Sequence, residues 1–473
     1  MKSILDRFRS MPKGVKASIA FFSASVIANG ISYIVTPIYT RLLTTAEYGK
    51  TNVFLTWVQV FGIIAMFCLS YGVFNNGMVD YPDKRDEFSF SLLILSNIIT
   101  LVFSSCILAV YPFIRQYIGL DFPFILLMCV LFFFQPAYNF WTARQRYEFK
   151  YKTTVFWSVL CAFLSPCVAI ISMSLVGNKL YARIFGAETV LILIYIGFYI
   201  YLGIKSGFKV KTEYWKAAIM FNLPLIPHYL STYLLANSDK LMISYLVNDS
   251  ATAFYSVAYT VAAVATIVWN AANASLVPYT YENCKNKNYN AISRVTMPLL
   301  FLFAIVCVIV ILMAPEVVSI MATEEYRESI YVIPPIVGGV FFQVQYYIYA
   351  NIVYYYKKTR YIMYASVASV ILNLVLNYIF IRIYGYVAAA YTTLVCYIVQ
   401  AVIDYFAMKK AVKEKVYNMR IITILSCAVI AISLLSISLY DFFIIRYILF
   451  AFIALCLFVF RKQIISTIRL ESR

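Results

Sequence analysis

Residues 295–314 read VTMPLLFLFAIVCVIVILMA, a run of 20 with no charged side chain. A bilayer core asks for about 20 mostly apolar residues per helix, at 1.5 Å each. This stretch meets that requirement by itself. Similar runs recur at about 17–40, 48–71, 87–111, 121–141, 153–177 and 180–203. They return at about 215–238, 251–276, 329–352, 361–383 and 386–408, with two more at about 421–439 and 442–460. The fold class read from them is an all-α polytopic membrane protein with about fourteen transmembrane helices.

Composition points the same way. Of 473 residues, 63% are hydrophobic and only 13% charged, and the mean hydropathy is +0.80. Soluble chains are about 45–50% apolar and about 25% charged. With 15 Gly, 14 Pro and 18% aromatics, collagen and intrinsic disorder are excluded. The 10 cysteines lie in apolar runs except Cys284, and neither a CxxC pair nor a Cys/His cluster occurs. A disulfide framework, a structural zinc site and any other metal site are therefore not expected.

The net charge of +18 would suggest nucleic acid in a soluble protein. In a membrane protein it reads as cytoplasmic loop charge, so no nucleic-acid partner is expected. About thirty of the 39 basic residues fall in alternate connections, from Lys2 and Arg7 through Lys84, Arg144 and Lys205 to Lys409 and Arg461. Those connections are cytoplasmic by the positive-inside rule, which places both termini in the cytoplasm. The first apolar stretch is too long for a cleaved signal peptide and lacks a small-residue cleavage site. No loop is long enough for a folded soluble domain.

An internal repeat organises the chain. The first span ends in Thr40-Arg41, and a short linker leads to Tyr48-Gly49. The seventh ends in Asp239-Lys240, and a linker leads to Tyr255-Ser256. Arg144-Gln145-Arg146 before the fifth span is echoed by Lys357-Lys358-Thr359-Arg360 before the eleventh. Six spans separate each pair, so the repeats run parallel. The reading is two pseudo-symmetric six-helix bundles, 1–210 and 211–412, with two additional helices and a basic cytoplasmic tail over 413–473. Two such halves imply a central cavity, alternating access and a transporter.

At these residues the chain resembles the polysaccharide-transporter family of the MOP (multidrug/oligosaccharidyl-lipid/polysaccharide) flippase superfamily. The carriers are Thr36-Pro37-Ile38-Tyr39-Thr40-Arg41-Leu42-Leu43 with Glu47-Tyr48-Gly49, Leu223-Pro224, Ser238-Asp239-Lys240 and Tyr255 to Tyr259. Asn373, Asn377 and Tyr384-Gly385-Tyr386-Val387-Ala388-Ala389-Ala390 complete the set, with Tyr386-Val387 standing where a glycine is usual. The resemblance implies a flippase that moves undecaprenyl-pyrophosphate-linked oligosaccharide from the cytoplasmic to the outer leaflet of the bacterial inner membrane. The product would be O-antigen, lipopolysaccharide, capsule or a related polymer, with a polymerase and glycosyltransferases of the pathway as partners. A cation-coupled multidrug or metabolite antiporter of the same superfamily is the alternative. A membrane acyltransferase or polysaccharide polymerase fits less well, and no enzyme activity or cofactor is expected. A chain of this size needs no second copy to form a pathway, so a monomer embedded in membrane lipids is expected.

Polar residues inside spans are costly and mark function or packing. The first span carries Ser18, Ser25, Asn29, Ser32 and Thr36 on one stripe; the seventh carries Asn222 and His228, and the eighth Asn270 and Asn273. Hydroxyl-rich ligands need many neutral donors and acceptors, so Asn29, Arg41, Asn222, His228, Lys240 and Asn270 are candidate substrate contacts. Interhelical hydrogen bonding accounts for the same residues as packing. His228, the sole histidine, and Glu188, in the sixth span, are candidate coupling groups. Asn29 and Arg41 are twelve residues apart, as are His228 and Lys240, which puts the charges at equivalent depth. Arg41 and Asp239 are therefore a candidate outer gate, with interfacial anchoring as the alternative.

Overall fold

The computed structural model describes residues 13–453 and 455, and among them every regular element is helical. The first half holds α1 (Lys13–Leu42), α2 (Thr45–Ala65), α3 (Gly72–Asp80), α4 (Arg85–Ile118), α5 (Phe122–Tyr147), α6 (Tyr151–Leu175), α7 (Lys179–Ser206) and α8 (Glu213–Asn222). After a 3₁₀ turn at Leu223–Leu225 come α9 (Ile226–Leu246), α10 (Asp249–Lys285), α11 (Tyr289–Leu312) and α12 (Ala314–Met321). The chain continues through α13 (Ile333–Tyr355), α14 (Thr359–Tyr384), α15 (Val387–Ala411), α16 (Met419–Leu435) and α17 (Phe443–Ile453).

Eleven of the described helices are long and apolar enough to cross a membrane. The protein is a multi-pass, all-α membrane protein. Three of the fourteen expected spans take a different form. The second, α2, carries Glu47 and Lys50 in its first two turns and is not among the eleven. The seventh divides into α8, the 3₁₀ turn and α9, because Pro224 and Pro227 bring no N–H to the helical ladder. The last is described only as α17; its end, Cys456 and the basic tail lie outside the described residues, as do Lys2, Arg7 and the side chain of Ser18.

The helix starts have local causes. Thr44 caps α2 in a reciprocal box: its hydroxyl accepts from the Glu47 amide at 3.3 Å, and Glu47 accepts from the Thr44 amide at 2.9 Å. Asn248 caps α10 by accepting from the Ala251 amide at 2.8 Å. Each of these caps opens the helix after one of the two linkers paired in the sequence. At the other end, α14 stops at Gly385, whose φ of 71° and ψ of −164° suit glycine alone.

The chain divides into two compact units at Tyr233/Leu234, later than the 210/211 boundary read from the repeat. The shift has a cause in the first unit. Its core gathers Phe74, Phe88, Leu92, Phe140 and Phe198 with Tyr214 and Ala218 of α8. Trp215 Nε1 donates to the Ser91 carbonyl at 2.9 Å, and the Lys211 amide donates to Ser91 Oγ at 2.9 Å. The helix that begins the second repeat in sequence is thus fastened to α4. In the same unit α6 packs on α7 through Gly186, where a Cβ would lie 2.7 Å from Ser172 Oγ and 3.1 Å from Ala169 Cα.

In the second unit α13 is the enclosed element, packed by α10, α11, α15 and α16. Of its apolar window 89% is buried, against 11% for α6 in the first unit. Apolar burial does not draw helices together in lipid, so polar pairs and close packing must. Gln345 donates to Ser426 of α16 at 2.8 Å, Gln343 to Tyr397 of α15 at 3.2 Å and Asn351 to Asn273 of α10 at 3.1 Å.

Candidate functional site

The second unit holds a closed circuit of polar side chains around Asp239, which is fully buried. Tyr255 of α10 and Thr393 of α15 donate hydroxyls to Asp239 Oδ2, the latter at 2.7 Å. Asn377 of α14 donates its amide to Asp239 Oδ1 at 2.7 Å and to Asn373 Oδ1 at 3.1 Å. Asn373 returns a bond to Thr393 Oγ1 at 2.8 Å, while Ser238 donates to Asn373 at 3.0 Å and Thr392 to Asn377. Four helices therefore meet on one carboxylate. Three side-chain donors and no guanidinium bond its oxygens. The oxygens of the circuit belong to a carboxylate, two amides and four hydroxyls. Such a set suits a hard cation such as Na⁺ and does not suit zinc.

Asp239 was expected at an outer rim opposite Arg41. The structure places it inside its own unit, with both oxygens bonded there. Arg41 is exposed, and its Nη1 donates to the Pro37 carbonyl at 2.8 Å. Burial of an acid in a span demands donors close at hand, and this unit supplies them itself. Lys240, next in sequence, turns away: its ammonium lies 3.3 Å from Asn237 Oδ1 and 5.1 Å from the Tyr259 ring centroid.

The other candidates separate by exposure. Asn29 is exposed on α1 and donates to the Ser25 carbonyl at 2.7 Å, so its amide is partly served by its own helix. Asn270 is exposed on α10. Asn222 is fully buried and donates to the Phe67 carbonyl at 3.3 Å, fastening the end of α8 to a left-handed turn at Phe67. It is a structural contact here. His228 is half-buried beside Tyr229, with Nδ1 buried and unbonded. Glu188 is buried in α7. The Arg183 guanidinium lies 4.1 Å from the Tyr39 ring centroid, and no Arg183–Glu188 ion pair occurs among the described residues.

Three features escaped the sequence reading. Tyr255, Thr392 and Thr393 complete the Asp239 circuit, and only their shared depth on separate helices could have signalled it. Asp404 is a second fully buried acid, in α15. The third is an ion network at one end of the first unit. Arg144 pairs with Asp86 and, at 2.9 Å, with Glu148; Lys150 reaches Glu148 at 2.5 Å, and Lys211 reaches Glu87 at 3.6 Å. Burial alone would raise the Glu148 carboxyl, but its bonds to Lys150 and Arg144 outweigh that and hold it below its ordinary value.

Comparison with known proteins follows from this architecture. The sequence model of the polysaccharide biosynthesis protein family matches residues 15–284, more than half of the chain. The chain belongs to that family. A second model, MatE, matches residues 224–379. "Lsg locus putative protein 1" of Haemophilus influenzae is 25% identical over 190 residues, which cover 38% of the chain and 47% of that protein. The match thus spans about half the length of that curated relative. Among solved structures, the inward closed conformation of the lipid II flippase MurJ matches 95% of the chain and 100% of its own, at a TM-score of 0.64 and 16% identity. An inward-facing multidrug resistance MATE family transporter of the MOP superfamily matches 85% of the chain and 95% of its own, at 0.62 and 14%. At these identities the likeness establishes the fold.

Proposed function

We propose that this protein is a flippase for a lipid-linked oligosaccharide. The substrate is an undecaprenyl-pyrophosphate-linked repeat unit for O-antigen, capsule or a related polymer, moved from the cytoplasmic to the outer leaflet of the bacterial inner membrane by alternating access. The observation that carries the reading is membership of a polysaccharide biosynthesis family joined to a fold like that of a lipid II flippase over 95% of the chain. Exposed Ser25, Asn29, Ser32 and Asn270 on long apolar helices support it, since neutral donors and acceptors suit sugar hydroxyls. No P-loop occurs in the sequence, so an ion gradient supplies the driving force. One charge crossing 100 mV is worth about 2.3 kcal/mol, and the Asp239 circuit is the cation site that would collect it.

The test is transport of a fluorescent undecaprenyl-pyrophosphate oligosaccharide in proteoliposomes, read as loss of accessibility to an impermeant quencher. Translocation that needs the protein and weakens when ionophores collapse the gradient supports the proposal. No translocation, or translocation indifferent to every gradient, refutes it. The MatE match favours one second reading, a cation-coupled multidrug antiporter. That reading predicts efflux of lipophilic cations and no competition from the lipid-linked sugar.

A further inference from the structure

The two buried acids of the second unit have opposite surroundings. Asp239 receives three side-chain donors. Asp404 receives none: both of its carboxylate oxygens are buried without a hydrogen-bond partner, although the residue is as fully enclosed as Asp239. One turn before it on the same face of α15 stands Gln400, 3% exposed, whose Oε1 is likewise buried and unbonded. Three acceptor oxygens thus share one helix face with no donor assigned to them. Leaving each bare would cost about 1–3 kcal/mol, more for a charged group.

Among the described residues no ion pair reaches Asp404. From α13, Tyr346 and Tyr354 interact electrostatically with Asp404, and both are neutral groups. Just before α14, the Lys358 ammonium donates to the Lys410 carbonyl at 3.1 Å. Lys410 itself lies 4.9 Å from the Tyr361 ring centroid, and Lys409 is exposed. Among the described residues no group of three or more His, Cys, Asp or Glu side chains gathers as a metal site.

We propose that Asp404 and Gln400 form a proton-binding site, separate from the Asp239 circuit, in which the neutral carboxyl of Asp404 donates its O–H to Gln400 Oε1. One proton removes the buried charge and gives Gln400 Oε1 the donor it lacks. The site lies about 10 Å from the C-terminal end of α15, at 1.5 Å per residue. That end carries Lys409 and Lys410 and faces the cytoplasm under the charge bias, which gives the proton a short way to water. Its use in coupling rests on the flippase reading; the site itself does not.

Infrared spectroscopy of the purified full chain in lipid tests it. The protein at neutral pH should show the carbonyl-stretch band of a protonated carboxyl, shifted in D₂O and absent from Asp404→Asn. Gln400→Leu keeps the carboxyl and should move the band, which preserves the test should Asp404→Asn fail to fold. A band unchanged in Asp404→Asn, or no such band in the parent, overturns the proposal. In proteoliposomes Asp404→Asn should lose most of the response to a pH gradient, and Asp404→Glu should restore part of it. A pH response equal to the parent's overturns the coupling role. Absence of all translocation by the parent, with the infrared band in place, would instead count against the flippase reading.

Discussion

Thr393 does two tasks with one hydroxyl: it donates to Asp239 and accepts from Asn373. Thr393→Val keeps the shape and strands both partners, at about 1–3 kcal/mol for each. The melting temperature in detergent should fall, and Thr393→Ser should recover most of the loss. Asp239→Asn removes the charge while leaving the volume, so stabilisation by Na⁺ in a thermal-shift assay should disappear if the circuit is a cation site. Glu148 gives a prediction in pH. Its carboxyl is held below the ordinary value, so it contributes stability above that value and loses the contribution as pH falls through the lowered one. Melting curves of the parent and Glu148→Gln should differ near neutral pH and converge in acid.

Among the elements, the α6–α7 contact depends on a single glycine. Gly186→Leu would drive a side chain into Ser172 and the Ala169 backbone, and backbone cannot yield as a flexible side chain can. Lower yield of folded protein by size-exclusion chromatography is expected, whereas Gly197→Leu, where a Cβ meets nothing within 4 Å, should behave like the parent. The long apolar helices were legible because about 20 uncharged residues leave few other readings, and α11 was plain from its sequence alone. The fate of α8 was not, since its attachment to α4 depends on Ser91 and Glu87, more than 100 residues away in sequence. The site divides the same way. Asp239 is legible as a charge at the end of the seventh span, and Asn373 and Asn377 as part of the resemblance, but their mutual bonds are not. Glu47 was noted only as part of a resemblance, although Thr44-x-x-Glu47 is a capping box visible in sequence.

On the scale of the whole molecule, charge sets orientation. The ion pairs of Arg144 with Asp86 and Glu148 and of Lys211 with Glu87 join segments that the positive-inside rule would put on the cytoplasmic side. In a cysteine-free background, a cysteine at Lys287 should react with an impermeant maleimide only after the membrane is opened, and one at Glu325 should react in intact cells. The reverse pattern would invert the orientation. Finally, α13 is the least apolar of the eleven long helices and the most enclosed. As the ribosome delivers the chain, Asn351 finds Asn273 of α10 already made, whereas Gln343 and Gln345 must await α15 and α16. For that interval two amides wait for partners still unsynthesised. A chain stopped at Tyr384 is therefore expected to leave α13 cross-linkable to the insertion machinery, and one extended to Leu435 to release it.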